Sequence, residues 1–491
     1  MSARLALAAA GLVLAGALPA FAQTADVGAF AQVRDASPLT LGEVLASTDR
    51  HHPLIEGAAA QVEAAEGALL GAQGAFDPTL NLNLTTNAFA GYYSDNVRGS
   101  VSVEQTTPLW GTKIFAGYRL SRGALPVYYE FDRTLNGGEF FAGAMVPILR
   151  DGAIDYRRLN RARAEFGQQQ AEAERDAKRL AVRLKATEAY AKWVAAAYKL
   201  AVVEQILELT EFRQRAVEQR VGAGSLAPIS NLEARRQVLS WRTKRVEARN
   251  KLQETSLMLG LYVRADDGTP APPHRGRAPT DLADLRGEGP SLDEALERAV
   301  AIRPELVAIE QEIAAYRVTA RHARNQRLPR LDASFYVRHD LGDAVPGDPD
   351  NEEKLTETLD PTEIFLGLNV EVPIPGRQPR GRAEQYEALV TYYETQAQWV
   401  REQVRADVRR VHVALELAEE RYELARESAE VLEALTNGER TRFDAGATTL
   451  LVVNIRERSL TDARATLASA WADWLTARAA WDALLGAGVI E

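Results

Sequence analysis

Apolar and polar residues alternate strictly over several short segments of this chain. Leu80, Leu82 and Leu84 alternate with Asn81 and Asn83, so an extended backbone would place the leucines on one face and the asparagines on the other. This period of two predicts β-strands with one apolar and one polar face. The alternation recurs within two regions, about residues 78–147 and about residues 330–373, and the candidate segments make two or three hairpins, that is, four to six strands.

Long helical stretches follow each strand region. The stretches Ala153 to Arg220 and Arg382 to Arg442 contain no proline and are dense in Ala, Glu, Arg and Leu. At 1.5 Å per residue such helices extend on the order of 100 Å. They are too long for an ordinary globular core, so each needs other long helices beside it. A Gly-containing turn and a last helix follow each stretch, at Ile229 to Tyr262 and at Leu450 to Leu485.

A helical segment also precedes each strand region, at Leu41 to Gln73 and at Leu292 to Arg327. Thr40 and Ser291 stand just before these segments, and each is followed three residues later by a glutamate. This is the pattern of a capping box, in which the hydroxyl and the carboxylate bind each other's backbone N–H groups. We therefore predict that both segments begin as capped helices.

The order of elements is the same in the two halves of the chain. Leu41, Pro53, Pro78 and Leu80 have counterparts of the same type at one constant offset, namely Leu292, Pro304, Pro329 and Leu331. Such self-similarity is the signature of an internal repeat. We predict a first structural repeat at residues 23–263, a linker rich in Pro, Gly and charge at 264–289, and a second repeat at 290–491.

Composition narrows the functional classes. The 491 residues include no cysteine and only six histidines, which excludes thiol catalysis, disulfides and zinc–thiolate sites. The formal net charge of −10 argues against a nucleic-acid partner, because binding phosphates requires an excess of Lys and Arg. No catalytic motif or phosphate loop is recognisable, so we expect no enzymatic activity and no cofactor. His51 and His52 are adjacent, so their rings should point to different sides of a helix, and we expect them to be solvated without binding a metal.

The first residues have the features of a secretory signal peptide. Residues 1–22 combine a positively charged start, an apolar run and a small-residue cleavage site. The apolar run is shorter than the roughly 20 residues that a membrane-spanning helix needs. We therefore predict export from the cytoplasm, either to a soluble location or into an outer membrane as β-strands.

The predicted strands cannot span a membrane in a single copy. Four to six strands leave open edges, which lipid does not tolerate, and the smallest bacterial barrels have eight strands. Three chains with four strands each would close a barrel of about 12 strands. An extra pair of strands in the longer first region would give more than 12.

The doubled order of helix, hairpin, long helix, turn and helix resembles the TolC family of outer-membrane efflux proteins. The family's turn, an Arg followed four residues later by Gly, appears at Arg220–Gly224 and at Arg442–Gly446. Junctions similar to its strand-to-helix motif appear at residues 107–111, 146–152 and 372–376. The resemblance implies a mixed α and β fold, in which a trimeric transmembrane β-barrel continues into a long periplasmic α-helical barrel.

The resemblance also implies a function. Members are homotrimers in outer-membrane lipid that dock on a periplasmic adaptor (a membrane fusion protein) and an inner-membrane pump. They act as the passive conduit of a tripartite efflux or type I secretion system. The alternative is a periplasmic coiled-coil adaptor or structural interaction protein without a pore, in which the strands form a small soluble sheet.

Two groups of residues are candidate sites on the basis of the resemblance. The glycines of the two helical tips would permit the positive φ that ends a helix, and the tips would dock the partner. The candidate tip residues are Arg220, Gly222, Gly224, Ser225, Arg442, Asp444 and Gly446. Beyond the second tip, Asn454, Arg456 and Glu457 are candidates for a polar network at a pore constriction.

Overall fold

The structure is a computed structural model that describes residues 37–88, 96–123, 133–279, 281–282, 289–343, 361–372 and 374–486. The predicted signal peptide lies outside these residues. The described part of the chain combines long helices with one antiparallel sheet, as the sequence predicts.

In the part of the chain that the structure describes, the first half contains four α-helices and four strands. In chain order they are α1 (Leu41–His51), α2 (Pro53–Gln73), β1 (Thr79–Asn87), β2 (Asn96–Thr106), β3 (Lys113–Gly123), β4 (Glu139–Pro147), α3 (Tyr156–Gly222) and α4 (Pro228–Leu259). The described residues of the second half contain four α-helices and two strands. They are α5 (Leu292–Ile302), α6 (Pro304–Asn325), β5 (Arg330–Asp340), β6 (Thr362–Glu371), α7 (Arg377–Asp444) and α8 (Leu450–Leu484).

Corresponding helices of the two halves have nearly equal lengths. The pairs α1 and α5, α2 and α6, α3 and α7, and α4 and α8 contain 11 and 11, 21 and 22, 67 and 68, and 32 and 35 residues. The halves differ in the sheet, to which the first contributes four strands and the second two. The total of six is the larger of the predicted counts. The division of the chain at residues 263 and 290 itself stays a prediction.

Both predicted capping boxes are present. The Thr40 hydroxyl accepts from the Glu43 N–H, and the Ser291 hydroxyl accepts from the Glu294 N–H. Each helical segment predicted before a strand region is present and is divided into two helices before a proline. His52 and Arg303 precede Pro53 and Pro304, and both have an extended backbone, since a proline ring disfavours the helical conformation in the preceding residue.

The six strands form one sheet in the order of the chain, from β1 to β6, with every neighbouring pair antiparallel. Strands β4 and β5 join the two halves of the chain, with Gly143 opposite Tyr336. Strands β1 and β6 are the two edges of the sheet. Within the described ranges, each edge strand pairs with a single neighbour.

The long helices lie side by side in a fixed order. Toward the two helical turns, α3 packs between α4 and α8, and α8 packs between α3 and α7. Toward the sheet, α2 packs on α3, α3 on α6, and α6 on α7. Near the turns the helices therefore form a row in the order α4, α3, α8, α7, and near the sheet they form a row in the order α2, α3, α6, α7. Helix α7 is at one edge of both rows, and α4 or α2 is at the other. Among the described residues, no helix is both long enough and apolar enough to cross a membrane.

The main hydrophobic core lies midway along the helices. Trp193 of α3 and Trp474 of α8 are fully buried there, together with Val44 of α1. Part of the predicted linker packs onto this core region, because the Leu39 N–H donates to the Arg277 carbonyl over 2.8 Å. The middle of the helix row is thus the best-packed part of the chain.

Candidate functional site

The register of the sheet separates an apolar face from a polar face. Across the strands, Leu82 lies opposite Val101, Val101 opposite Tyr118, and Tyr118 opposite Phe140. The neighbouring row contains Asn83, Ser100, Arg119, Glu139 and Asp340. Because side chains alternate along a strand, these two rows lie on opposite faces of the sheet.

The apolar face is the more exposed of the two. Leu80, Leu82 and Leu84 of β1 expose between 72% and 80% of their surface. On the polar face, Glu139 and Asp332 expose only 3% and 6%. A sheet in a water-soluble protein has the opposite arrangement, with the apolar face covered. The exposed face therefore suits lipid, and the polar face suits a water-filled lumen.

Ion pairs cover the polar face. Arg119 binds Glu139 over 2.9 Å, and Lys113 binds Glu104 over 2.5 Å. Arg338 lies 3.9 Å from Glu139 and bridges toward the edge strand β6. These ion-paired charges of both signs therefore lie on the face that suits a water-filled lumen.

The two helical tips have the same construction. After α3, the Ser225 N–H donates to the Arg220 carbonyl over 2.9 Å, and after α7 the Ala447 N–H donates to the Arg442 carbonyl over 2.8 Å. Gly224 has a φ of 75° and Gly446 a φ of 74°, in the left-handed region that glycine adopts most easily. Both tips are exposed, and no atom lies within 4 Å of a Cβ added at either glycine.

The predicted tip residues fall at these turns, with one difference in conformation. Gly222 is the last residue of α3, and its φ is not positive, so only Gly224 and Gly446 of the three tip glycines use the positive φ that glycine permits. The helix continues through Gly222 because Gly224 alone reverses the chain. No atom lies within 4 Å of a Cβ added at Gly222, which leaves a smooth, accessible surface at the tip.

A buried charge cluster lies about two to three helical turns above the second tip. Glu457 of α8 is 1% exposed and binds Arg213 of α3 and, over 3.0 Å, Arg440 of α7. Arg213 also donates to Asn454 over 3.4 Å. The cluster therefore joins three helices of one chain.

Of the three residues predicted for a polar network, the structure brings Asn454 and Glu457 together. Arg456 takes part only through its backbone carbonyl, which accepts from the Thr436 hydroxyl over 3.3 Å. Arg213 and Arg440 were not predicted. Arg440 lies before the turn and Glu457 after it, so the predicted helical hairpin could have indicated that they are close together. Arg213 belongs to the other half of the chain, and its contact with Glu457 could not be predicted in this way. A role of these residues at a constriction stays a prediction.

The prediction that His52 is solvated is wrong. It is 8% exposed, stacks on Tyr262 with ring centroids 5.5 Å apart, and its Nδ1 accepts from the Leu54 N–H. Burial lowers the pKa of His52 below its ordinary value, and the nearby Arg264 cation lowers it further. Within the described ranges, no group of three or more His, Asp or Glu side chains is placed to hold a metal ion.

Comparison with known proteins agrees with this geometry. Residues 295–487 match the family model for outer membrane efflux proteins. No curated protein sequence matches the chain. The fold is similar to that of crystal structures at a TM-score of 0.61, among them the CmeC outer membrane channel of Campylobacter jejuni, at 14% identity over 91% of this chain and 86% of that one.

Two further structures have the same TM-score. The outer membrane protein VceC of Vibrio cholerae is 16% identical over 91% of this chain and 96% of its own. The MtrE outer membrane channel of Neisseria gonorrhoeae, in its open state, is 15% identical over 91% of this chain and 89% of its own. At this level of identity the likeness establishes the fold, from the sheet to the helical tips.

Proposed function

We propose that this outer-membrane efflux protein of the TolC type works as a homotrimer, in which three sheets and three rows of helices close into one export conduit. The observation that carries the proposal is the reversed exposure of the sheet, whose leucine face is open while Glu139 and Asp332 on its polar face are buried. Placed in lipid, the exposed face loses no favourable contact with water, and the polar face lines an aqueous path.

The edges of the sheet support closure by several copies. The outermost strands β1 and β6 have 9 and 10 residues, and an unpaired edge of that length is not tolerated in lipid. Because the six strands alternate in direction, β6 of one copy runs antiparallel to β1 of the next copy in a ring. Three copies then give a closed antiparallel barrel of 18 strands, six from each chain.

The widths of the two barrels agree at this strand count. With strands about 4.8 Å apart and tilted by roughly 40°, 18 strands make a barrel about 36 Å in diameter, and 12 would make one of about 24 Å. Three rows of four helices, spaced about 9 Å apart, make a helical barrel of about 35 Å. Six strands per chain thus let the conduit continue without a step from the sheet into the helices.

Exposed apolar stripes lie on the edge helices that would meet between copies. On α4, Leu232, Leu239 and Val246 repeat every seven residues and are 63%, 53% and 62% exposed. On α7, Leu417, Leu424 and Val431 repeat every seven residues and are 59%, 59% and 53% exposed. Heptad stripes of this kind pack against each other between neighbouring helices. We therefore place α7 of one copy against α4 of the next.

The stripes provide a test of the trimer. Leu239→Asp places a charge in the proposed contact three times per assembly, whereas Leu451→Asp changes a leucine of similar exposure, 67%, on α8, which is not an edge helix. We expect purified wild-type protein and Leu451→Asp to migrate as a trimer on unheated gels and Leu239→Asp as a monomer. Recovery of the wild-type chain as a soluble periplasmic monomer would overturn the proposal.

We further propose that the tips dock a periplasmic adaptor, which connects the conduit to an inner-membrane pump. The proposal is supported by the exposure of Arg220, Gly222, Gly224 and Ser225 at the first tip and of Arg442, Asp444 and Gly446 at the second. The backbone of each tip is held by its own hydrogen bonds, so a partner meets a rigid surface and loses little entropy on binding.

The absence of cysteine from the sequence makes this docking easy to test. A single cysteine introduced by Ser225→Cys carries a short cross-linker at the first tip. Ser240→Cys carries the same cross-linker at an exposed position midway along α4. We expect cross-linking to the adaptor in cells from Ser225→Cys alone. Equal yields from both variants, or none from the tip, would contradict end-on docking.

A further inference from the structure

Four aromatic rings lie on the polar, inward face of the sheet. Phe115, Phe141, Tyr336 and Phe365 occupy successive strands from β3 to β6, in the rows that otherwise carry charged and small residues. The rings of Phe115 and Phe141 are 6.3 Å apart, and those of Tyr336 and Phe365 are 4.4 Å apart. In the proposed trimer these rings face the lumen, where aromatic side chains are not needed for contact with lipid.

The last two rings form a stack with a cation at one end. The rings of Tyr336 and Phe365 are nearly parallel, at 17°, and the guanidinium of Arg338 lies 4.9 Å from the centre of the Tyr336 ring. The Phe365 ring has room in this position because Gly367 has no side chain, since a Cβ there would lie 2.8 Å from the ring. The order is therefore Arg338, Tyr336, Phe365, and the stack ends at Phe365.

The open end of the stack is at the junction between copies. Phe365 is 44% exposed and belongs to the edge strand β6. In the proposed barrel the next strand is β1 of the neighbouring copy, whose inward residues near its middle are Asn81, Asn83 and Thr85. These side chains are small and polar, so they leave space beside the ring and offer hydrogen-bonding groups to a ligand.

The charges at the junction favour a cation. The inward positions of β6 carry Glu363 and Glu371 and no Lys or Arg, and those of β1 carry no charge. Glu371 binds Arg150 over 3.1 Å, whereas Glu363 makes only a longer ion pair with Arg338, at 4.0 Å, and its side chain is 73% exposed. A carboxylate beside an open aromatic ring is the combination that attracts an aromatic cation, through stacking and charge together.

We infer that Phe365 and Glu363 of one copy, with β1 of the next copy, form a lumenal binding site for planar aromatic cations, three per trimer. The inference rests on the proposed function, because the site is complete only where two copies meet. It assigns the conduit a contact with cargo at its outer end. Flat cationic compounds would pause there on the exposed ring before leaving the barrel.

The test is a titration of the purified trimer in detergent with the planar cation acriflavine, in which the fluorescence anisotropy of the dye reports binding. Phe365→Leu keeps the apolar volume and removes the π-face, so we expect the Kd to rise about fivefold to tenfold. Phe140→Leu changes a ring on the lipid-facing side of the same sheet and should leave the Kd unchanged. Glu363→Gln should also raise the Kd, and tetraethylammonium, which has the charge without the ring, should not displace the dye.

Two results would overturn the inference: a Kd for Phe365→Leu within twofold of the wild-type value, or an equal loss of binding in Phe140→Leu, which would mean that the dye enters detergent. The failures of the two proposals are distinguishable. A trimer that is intact on unheated gels but binds dye independently of Phe365 refutes only this site. A chain that is monomeric in every preparation refutes the proposed function itself.

Discussion

The carboxylate of Glu457 is expected to hold three helices together near the second tip. Glu457→Gln keeps the shape of the side chain but removes the charge that faces Arg213 and Arg440. Breaking a fully buried ion pair costs about 3–5 kcal/mol. The side chains of the two arginines are 17% and 31% exposed, so water relieves part of this cost. We therefore expect local stability to fall by about 2–3 kcal/mol.

Hydrogen exchange measures this loss where it occurs. In the wild-type protein the amides of Val453 to Leu460 exchange through local opening of α8, and a loss of 2–3 kcal/mol accelerates that exchange about 30- to 150-fold. The control is Glu433→Gln, because Glu433 binds Arg464 over 2.8 Å but its side chain is 49% exposed. Such a pair is worth about 0–1 kcal/mol, so exchange should rise less than about fivefold. If the two variants exchange alike, the buried cluster does not stabilise the tip.

Three further predictions concern the sheet, a tip and the α1–α2 junction. Leu82→Arg puts a charge on the exposed apolar face and should reduce assembly in the outer membrane, at a cost of about 2–4 kcal/mol. Asn83→Arg puts the same charge on the inward face and should assemble normally. Membrane fractionation distinguishes the two variants. Gly446→Ala should cost about 1–2 kcal/mol, since φ is 74° while the space around it is open, and faster exchange of the turn amides would show this loss. Burial lowers the pKa of His52 in the folded protein below its ordinary value of 6.5. The neutral His52 ring therefore contributes its full stabilisation above pH 6.5, and this contribution is lost as the pH falls from 6.5 toward the pKa of His52 in the folded protein. The protection factors of the α1 amides, which correct for the slower intrinsic exchange at low pH, should therefore fall on acidification in wild-type protein and in a His51→Asn control, but not in His52→Asn, which keeps a capping side chain.

The lengths and order of the elements could be predicted from the sequence because the signals for them are local. Strict alternation located the strands, and the absence of proline over more than 60 residues located α3 and α7. The prolines at positions 53 and 304 are equally local signals, because a proline disfavours the helical conformation in the residue before it and so divides each helical stretch in two.

The candidate sites could be predicted only in part. The tips follow from glycines at fixed distances from arginines, which are visible in the sequence. The partners of Glu457 are harder to predict from the sequence, since Arg213 is 244 residues away and belongs to another helical hairpin. The burial of His52 depends on Tyr262, which comes from the end of the first half. Neither contact leaves a periodic trace in the sequence, because each arises where separate elements happen to pack.

The sequence by itself determined the doubled architecture, the two-faced strands and the long helices, because backbone geometry converts periodicity directly into a face and a length. Only the tertiary structure decided that six strands form one sheet, with β4 beside β5, and that Glu139 and Asp332 on its polar face are buried while the leucines of the other face are exposed. It also decided that α4 and α7 are the edges of the helix row and carry their apolar stripes outward. The physical reason is that pairing between distant segments depends on which surfaces remain free after each element has formed. In this protein the surfaces left free are the leucine face of the sheet and the apolar stripes of α4 and α7.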